Sequence, residues 1–121
     1  MAIKKTLLLG ASPNPERYSY LAVQQLHKHQ HPVIAIGKRK GMIGTVEIET
    51  ETKPFNDVDT VTLYLNPSHQ KEYYDYILSQ RPKRIIFNPG TENEELEALA
   101  HAQGIQTMEA CTLVLLSTEQ Y

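Results

Sequence analysis

The stretch Thr6-Leu7-Leu8-Leu9-Gly10-Ala11-Ser12 decides the fold, because a short apolar run passes directly into a turn of small residues. A continuous apolar run of this length is typical of a strand that is buried on both faces, as in a parallel sheet. A loop follows, and the pattern then predicts a helix over residues 19–29 with Ser19 as its N-cap. The opening of the chain therefore predicts a strand, a loop and a helix.

The same alternation of apolar runs and helical stretches continues along the chain. Further strands are predicted at residues 33–36, 60–65, 84–87 and 105–108, and further helices at residues 66–80 and 93–103. The second helix begins at Asn66-Pro67, since proline at the first helical position gives up an amide that would be unpaired anyway. The third helix, residues 93–103, is expected to direct the side chains of Leu96, Leu99 and Ala100 toward the core.

Strands that alternate with helices require right-handed crossovers, and a doubly wound sheet is the simplest result. We therefore predict an α/β fold: a single Rossmann-like domain over residues 1–121, with a mostly parallel sheet of about five strands flanked by helices. Two segments stay open. Residues 45–50 fit a short edge strand within the loop-rich section 37–59, and residues 112–116 fit either a strand or a closing helix.

Composition limits the partners and the compartment. The chain has 121 residues and a net charge of -2, so it has no overall attraction for nucleic acid or acidic membranes. The single cysteine, Cys111, excludes an internal disulfide framework and fits a reducing compartment. The apolar run at residues 6–9 is too short for a signal peptide, and no stretch is long enough to span a bilayer. We expect a cytoplasmic protein that binds neither nucleic acid nor membranes.

The ligand site of such a sheet is expected outside the carboxyl ends of the strands, where the strand order reverses. In the first loop, Gly10 allows a sharp turn and the close approach of a phosphate, and the next helix offers free N–H groups to an anion. Ser12, Arg17 and Ser19 could add donors. The G-x-G-x-x-G fingerprint of dinucleotide-binding domains is absent, and a plain strand-to-helix turn explains the loop equally well.

The second loop, Gly37-Lys38-Arg39-Lys40-Gly41, places three adjacent cations where an NAD-binding domain usually has an acidic residue. Such a loop favours a ligand with a phosphorylated ribose, which means coenzyme A with its 3′-phosphate, or NADP, over NAD. A solvated basic turn is the alternative interpretation.

Other side chains carry weaker signals. Cys111 fits either a small buried hydrophobe or a thiol at the site mouth that reacts with a ligand thiol. No metal site is predicted, because alternating histidines on a helix point to different sides; we expect surface or capping roles for His27, His29 and His31. His69 is expected near the edge of the site. Three tyrosines near strand ends could stack on an adenine, although packing explains them equally well: Tyr18, Tyr20 and Tyr64.

The chain resembles the stand-alone CoA-binding domain family, small Rossmann proteins similar to the N-terminal CoA-binding domain of succinyl-CoA synthetase α subunits. The resemblance covers nearly the whole chain and is carried by these residues: Gly10-Ala11-Ser12, Asn14-Pro15-x-Arg17-x-Ser19-Tyr20, Gly44, Asp57-Val58-Asp59, Asn88-Pro89-Gly90, Asn93-Glu94-Glu95, Ala102-x-Gly104-Ile105 and Cys111. It implies phosphate contacts from the first loop, with the loops after the second, third and fourth strands around the rest of the cofactor.

We therefore predict non-catalytic binding of coenzyme A or an acyl-CoA, with no catalytic and no metal-binding residues. A small NADP-dependent or acyl-CoA-processing enzyme is one alternative, and an interaction or oligomerisation domain with a vestigial pocket is another. A domain of this size with several tyrosines also fits a homodimer. The predicted cofactor-binding residues are Gly10, Ala11, Ser12, Arg17, Ser19, Gly37, Lys38, Arg39, Lys40, Asn66, Pro67, Asn88, Pro89 and Gly90.

Overall fold

The computed structural model describes residues 2–121 and places seven strands in one sheet. In chain order the strands are β1 (Thr6–Leu9), β2 (Val33–Ile36), β3 (Gly41–Ile43), β4 (Val46–Glu49), β5 (Thr60–Leu63), β6 (Arg84–Phe87) and β7 (Gln106–Glu109). The helices are α1 (Tyr18–Lys28), α2 (Pro67–Gln70), α3 (Tyr74–Ser79), α4 (Glu94–Ala102) and α5 (Thr112–Ser117), with a 3₁₀ turn over Lys71–Tyr73.

The sheet order β3-β4-β2-β1-β5-β6-β7 confirms the doubly wound α/β fold. All pairs are parallel except β3 with β4. After β1 the chain adds β2, β3 and β4 on one side of β1, and it then adds β5, β6 and β7 on the other side. The order therefore reverses between β1 and β5, which fixes where a ligand site is expected.

The sheet has two strands more than the five expected. Residues 46–49 do form a strand, but β4 lies between β2 and β3 and is not an edge strand. The edge strand on this side of the sheet is β3, and its three residues are too few to show a periodic pattern. Residues 112–116, which fit either a strand or a helix, lie in the helix α5.

One predicted helix start is wrong, and one predicted helix is interrupted. Ser19 is not the N-cap of α1; it lies inside the helix and is 4% exposed, while Arg17 occupies the N-cap position. The helix predicted over residues 66–80 is split into α2, the 3₁₀ turn and α3. Its start is as predicted, because the Asn66 side chain accepts a hydrogen bond from the amide of His69 at 3.1 Å.

The sheet is buried on both faces. On one face Leu7 and Leu9 pack with residues of α3 and α4, and on the other Leu8 packs with residues of α1 and α5. The uninterrupted apolar run of β1 therefore serves two cores at once. Leu96 and Ala100 are buried as predicted, but Leu99 is 40% exposed, because α4 directs only a narrow stripe toward the sheet.

The C-terminal residue Tyr121 is buried at the amino ends of the strands, far along the chain from its partners. Its hydroxyl lies 2.7 Å from Thr6 Oγ1, and its ring lies 4.4 Å from the Arg84 guanidinium carbon and 4.8 Å from the His31 ring centroid. His31 is therefore buried, contrary to the expected surface or capping role, and burial lowers the pKa of its imidazole. No helix within residues 2–121 is both long and apolar enough to cross a membrane.

Candidate functional site

A cleft of about 670 Å³ opens at the carboxyl ends of β1, β2 and β5, where the strand order reverses. This volume lies within the range of about 300–1,000 Å³ that is usual for small-molecule sites. The cleft is lined by Gly10, Ala11, Ser12, Pro13, Glu16, Arg17, Tyr18, Ser19, Gly37, Lys38, Arg39, Tyr64, Leu65, His69 and Tyr73.

Glycines let the three strand ends approach one another at the floor of the cleft. The amides of Gly10 and Ala11 both donate to the Ile36 carbonyl at 2.9 Å, which ties the first loop to β2. Gly10 has φ +97°, and a Cβ there would lie 2.6 Å from the Tyr64 carbonyl oxygen. At Gly37 a Cβ would overlap the Ala11 carbonyl oxygen. Larger residues at these positions would push the loops apart.

The first loop turns the amino end of α1 toward the cleft. Ser12 Oγ accepts from the Asn14 amide at 3.1 Å, and Asn14 Oδ1 accepts from the Glu16 amide at 3.0 Å. Within the described chain, no side chain caps the first turn of α1. Its first amide N–H groups therefore remain available to a ligand, and the positive end of the helix dipole favours an anion there.

The charge of the cleft is predominantly positive. Arg17, Lys38 and Arg39 are exposed on its walls, and none of them forms an ion pair within residues 2–121. Glu16 is the one acidic side chain among the described lining residues. Three unpaired cations beside an uncapped helix start suit a ligand with several phosphate groups.

The wall on the β5 side has a different character. Tyr64, Leu65 and Tyr73 are half-buried, and burial raises the pKa of both tyrosine hydroxyls, so the phenols stay neutral. Behind them the side chain of Gln70 is fully buried; its Nε2 donates to the carbonyls of Leu65 at 2.8 Å and Thr91 at 2.7 Å. This wall is therefore uncharged and held in place.

The structure brings eight of the fourteen predicted binding residues to the cleft: Gly10, Ala11, Ser12, Arg17, Ser19, Gly37, Lys38 and Arg39. Lys40 lies instead beside a small groove with Glu47, Glu49 and Glu51. Asn66 and Pro67 begin α2 and are not among the cleft-lining residues. The basic loop is thus divided, because the chain turns into β3 directly after Lys40.

The remaining predicted residues, Asn88, Pro89 and Gly90, lie outside the cleft. Asn88 is 2% exposed, and its side chain serves the fold: Nδ2 donates to Thr62 Oγ1 at 2.7 Å and to the Leu63 carbonyl at 2.8 Å, while Oδ1 accepts from the Thr112 amide at 2.8 Å. The Gly90 amide donates to Glu92 within its own loop. No polar atom of Asn88 is left over for a ligand.

Several lining residues were not predicted: Pro13, Glu16, Leu65 and Tyr73. The signal that could have found Leu65 is the absence of aspartate, glutamate, lysine and arginine over residues 64–70, directly after a strand end. Tyr73 follows Lys71 and Glu72, and no local signal marks it. Tyr18, Tyr64 and His69, named only as residues near the strand ends or the site edge, do line the cleft, whereas Tyr20 does not.

Cys111 lies at the N-cap position of α5, is half-buried and is not among the cleft-lining residues. Within residues 2–121, no group of three or more histidine, cysteine, aspartate or glutamate side chains is placed to hold a metal ion.

Comparison with known proteins places the chain among related sequences. A family model described as a CoA binding domain matches residues 4–117. The crystal structure of an uncharacterised protein is 50% identical, covers 100% of both chains and gives a TM-score of 0.97. None of the curated proteins matches the sequence.

Two more distant structures share the fold. A hypothetical protein from Pyrococcus horikoshii OT3 is 24% identical with a TM-score of 0.86, over 96% of this chain and 83% of that one. A Thermus thermophilus protein, cell-free ID.343, is 20% identical with a TM-score of 0.83, over 98% of this chain and 91% of that one.

Proposed function

We propose, since this chain belongs to the CoA-binding domain family, that it binds coenzyme A or an acyl-CoA in the cleft over β1, β2 and β5 without catalysing a reaction on it. The observation that carries the proposal is the convergence of Arg17, Lys38 and Arg39 with the uncapped start of α1. A ligand with a pyrophosphate and a separate ribose phosphate would use both features.

The cleft suggests a place for each phosphate group. The pyrophosphate would accept hydrogen bonds from the first amides of α1, from Arg17 and from the hydroxyl of Ser12. The 3′-phosphate would lie over the end of β2, beside Lys38 and Arg39. In this arrangement the adenosine end of the ligand lies on the β2 side of α1.

A binding role without catalysis is supported by the side chains that line the cleft. Glu16 and His69 are the acid–base candidates, and both are exposed. Within the described chain, neither side chain is hydrogen-bonded to a hydroxyl or thiol that it could activate. A general base must reach its proton within hydrogen-bond distance, so the site lacks an assembled nucleophile and base.

NADP is a second candidate, because Lys38 and Arg39 would also suit a 2′-phosphate. The test is a thermal-shift titration with coenzyme A, dephospho-CoA, NADP and NAD, each at about millimolar concentration. A ligand at about 100 times its Kd stabilises the folded state by about 2.7 kcal/mol, so coenzyme A should raise Tm by several degrees. A shift with NADP alone would replace coenzyme A by NADP, and no shift with any ligand would refute the proposal.

Arg17→Ala is expected to weaken coenzyme A binding about ten-fold or more, because a hydrogen bond to a charged group contributes about 1.5–3 kcal/mol. Isothermal titration calorimetry measures the change. Lys28→Ala is the control, since it removes the same charge from the other end of α1. Equal affinities of Arg17→Ala and the wild type would remove Arg17 from the site.

The division of the basic loop gives a second prediction. Replacing Lys38 and Arg39 with alanine should weaken binding of coenzyme A about ten-fold or more, and binding of dephospho-CoA by much less, because only coenzyme A carries the 3′-phosphate. Lys40→Ala should change neither affinity, since Lys40 faces Glu47 and Glu49 outside the cleft. If both ligands lost affinity equally, the loop would not read the 3′-phosphate.

A further inference from the structure

The two ends of the cleft differ in charge. Over β2 the exposed side chains are Lys38 and Arg39, while over β5 the chain from Tyr64 to Gln70 contains no aspartate, glutamate, lysine or arginine. Because β1 lies between β2 and β5, a ligand whose pyrophosphate rests on the start of α1 extends in both directions. If its phosphorylated ribose lies over β2, its other arm lies over β5.

Near the wall over β5, the side-chain oxygen of Asn66 and the amide group of Gln70 are already hydrogen-bonded. Asn66 Oδ1 accepts from Ser68 Oγ at 2.6 Å and from the His69 amide at 3.1 Å. The buried Gln70 amide group is also fully used, because Nε2 donates to two carbonyls and Oε1 accepts from Asn93 Nδ2 at 2.9 Å. The wall itself presents Leu65, the rings of Tyr64 and Tyr73 and the imidazole of His69 to the cleft, and the buried hydroxyl of Tyr64 has no hydrogen-bond partner within residues 2–121.

The same hydrogen bonds make the wall rigid. Gln70 joins the segment after β5 to the loop after β6, and Asn93 extends the connection to the Tyr74 hydroxyl at 2.8 Å. Leu65 reaches toward the first loop, with its Cδ2 3.2 Å from the position of a Cβ at Gly10. An apolar surface that is held in place before the ligand arrives binds an apolar group without an ordering cost.

From this asymmetry we infer that the cleft prefers an acyl-CoA to free coenzyme A, with the acyl chain against Leu65 and Tyr73. The inference rests on the proposed function, since it takes a coenzyme A thioester as the ligand. An acyl chain would cover the side chain of Leu65 and the ring of Tyr73, whereas a bare thiol leaves these apolar surfaces in water.

The test is a calorimetric series on the wild-type protein with coenzyme A, acetyl-CoA, butyryl-CoA and hexanoyl-CoA. Burial of a methylene group strengthens binding by at most about four-fold, so affinity should rise along the series by up to that factor per methylene until the wall is covered. Free coenzyme A binding as tightly as hexanoyl-CoA would overturn the inference and leave the proposed function intact. Absence of binding by every member would refute both.

A pair of variants locates the acyl chain. Leu65→Ala should flatten the series, with the preference for hexanoyl-CoA over coenzyme A reduced several-fold relative to the wild type. Leu99→Ala is the matched control, because Leu99 is 40% exposed on α4 and does not line the cleft. A preference for hexanoyl-CoA that survives in Leu65→Ala and in Tyr73→Ala would place the chain elsewhere and overturn the assignment; if Leu65→Ala does not fold, Tyr73→Ala and the wild-type series decide.

Discussion

Replacing Gly10 with alanine is expected to lower the free energy of unfolding by about 2–6 kcal/mol, from backbone strain and overpacking together. The backbone at Gly10 has φ +97°, which an L side chain rarely adopts, and the new Cβ would lie 2.6 Å from the Tyr64 carbonyl oxygen. That oxygen belongs to the backbone at the end of β5 and cannot turn aside. Folded proteins are stable by only about 5–15 kcal/mol, so this variant should unfold at a much lower urea concentration.

The variant Gly90→Ala separates backbone strain from overpacking. Gly90 has a similar φ of +90°, but nothing lies within 4 Å of the position that its Cβ would take. It should therefore show the strain alone, about 1–3 kcal/mol. Equal losses in Gly10→Ala and Gly90→Ala would mean that the close approach of the first loop to β5 adds nothing.

Asn88→Ala is expected to destabilise the protein by about 2–6 kcal/mol. It leaves the Thr112 amide and the Leu63 carbonyl buried without their Asn88 hydrogen bonds, and each such loss costs about 1–3 kcal/mol. The Asn88 side chain joins the ends of β5 and β6 to the start of α5, beside the bond between the Thr62 and Thr112 hydroxyls. Urea unfolding measures the loss. Asn56→Ala is the matched control, since Asn56 is exposed and its side chain makes no hydrogen bond within the described chain.

The same variant distinguishes a structural role from a ligand-binding role. The family resemblance implied that Asn88 belongs to the cofactor site, whereas its three hydrogen bonds within the protein imply that it acts through stability. Calorimetry at low temperature, where most Asn88→Ala molecules are folded, should give a nearly unchanged affinity for coenzyme A. A variant with full stability and weakened binding would contradict this expectation.

The order of the secondary-structure elements followed from local patterns. Short runs such as Thr6-Leu7-Leu8-Leu9 predict buried parallel strands. The helices predicted over residues 19–29 and 93–103 were found within a residue of their predicted ends. A strand was missed and one segment was left open where local signals were short or ambiguous. The three residues of β3 show no period, and Thr112 to Leu116 have side chains that suit a strand as well as a helix.

The break in the helix after Pro67 came from tertiary contacts. Gln70 is drawn inward to bond the carbonyls of Leu65 and Thr91, and the chain then passes through a 3₁₀ turn before Tyr74 begins α3. No periodic pattern in residues 66–80 predicts this break, because the carbonyl that Gln70 bonds, that of Thr91, is 21 residues further along the chain. Tyr73, the last residue of this 3₁₀ turn, lines the cleft.

The sequence by itself determined the α/β alternation, the glycine at the end of β1 and the cations after β2, because backbone propensity, apolar periodicity and charge are properties of short segments. Only the tertiary structure decided which of these residues meet. It brought Lys38 and Arg39 to the cleft but not Lys40, and it committed Asn88 to a partner 24 residues away. A buried polar side chain must satisfy its hydrogen bonds wherever the fold supplies partners, and those partners are distant in sequence.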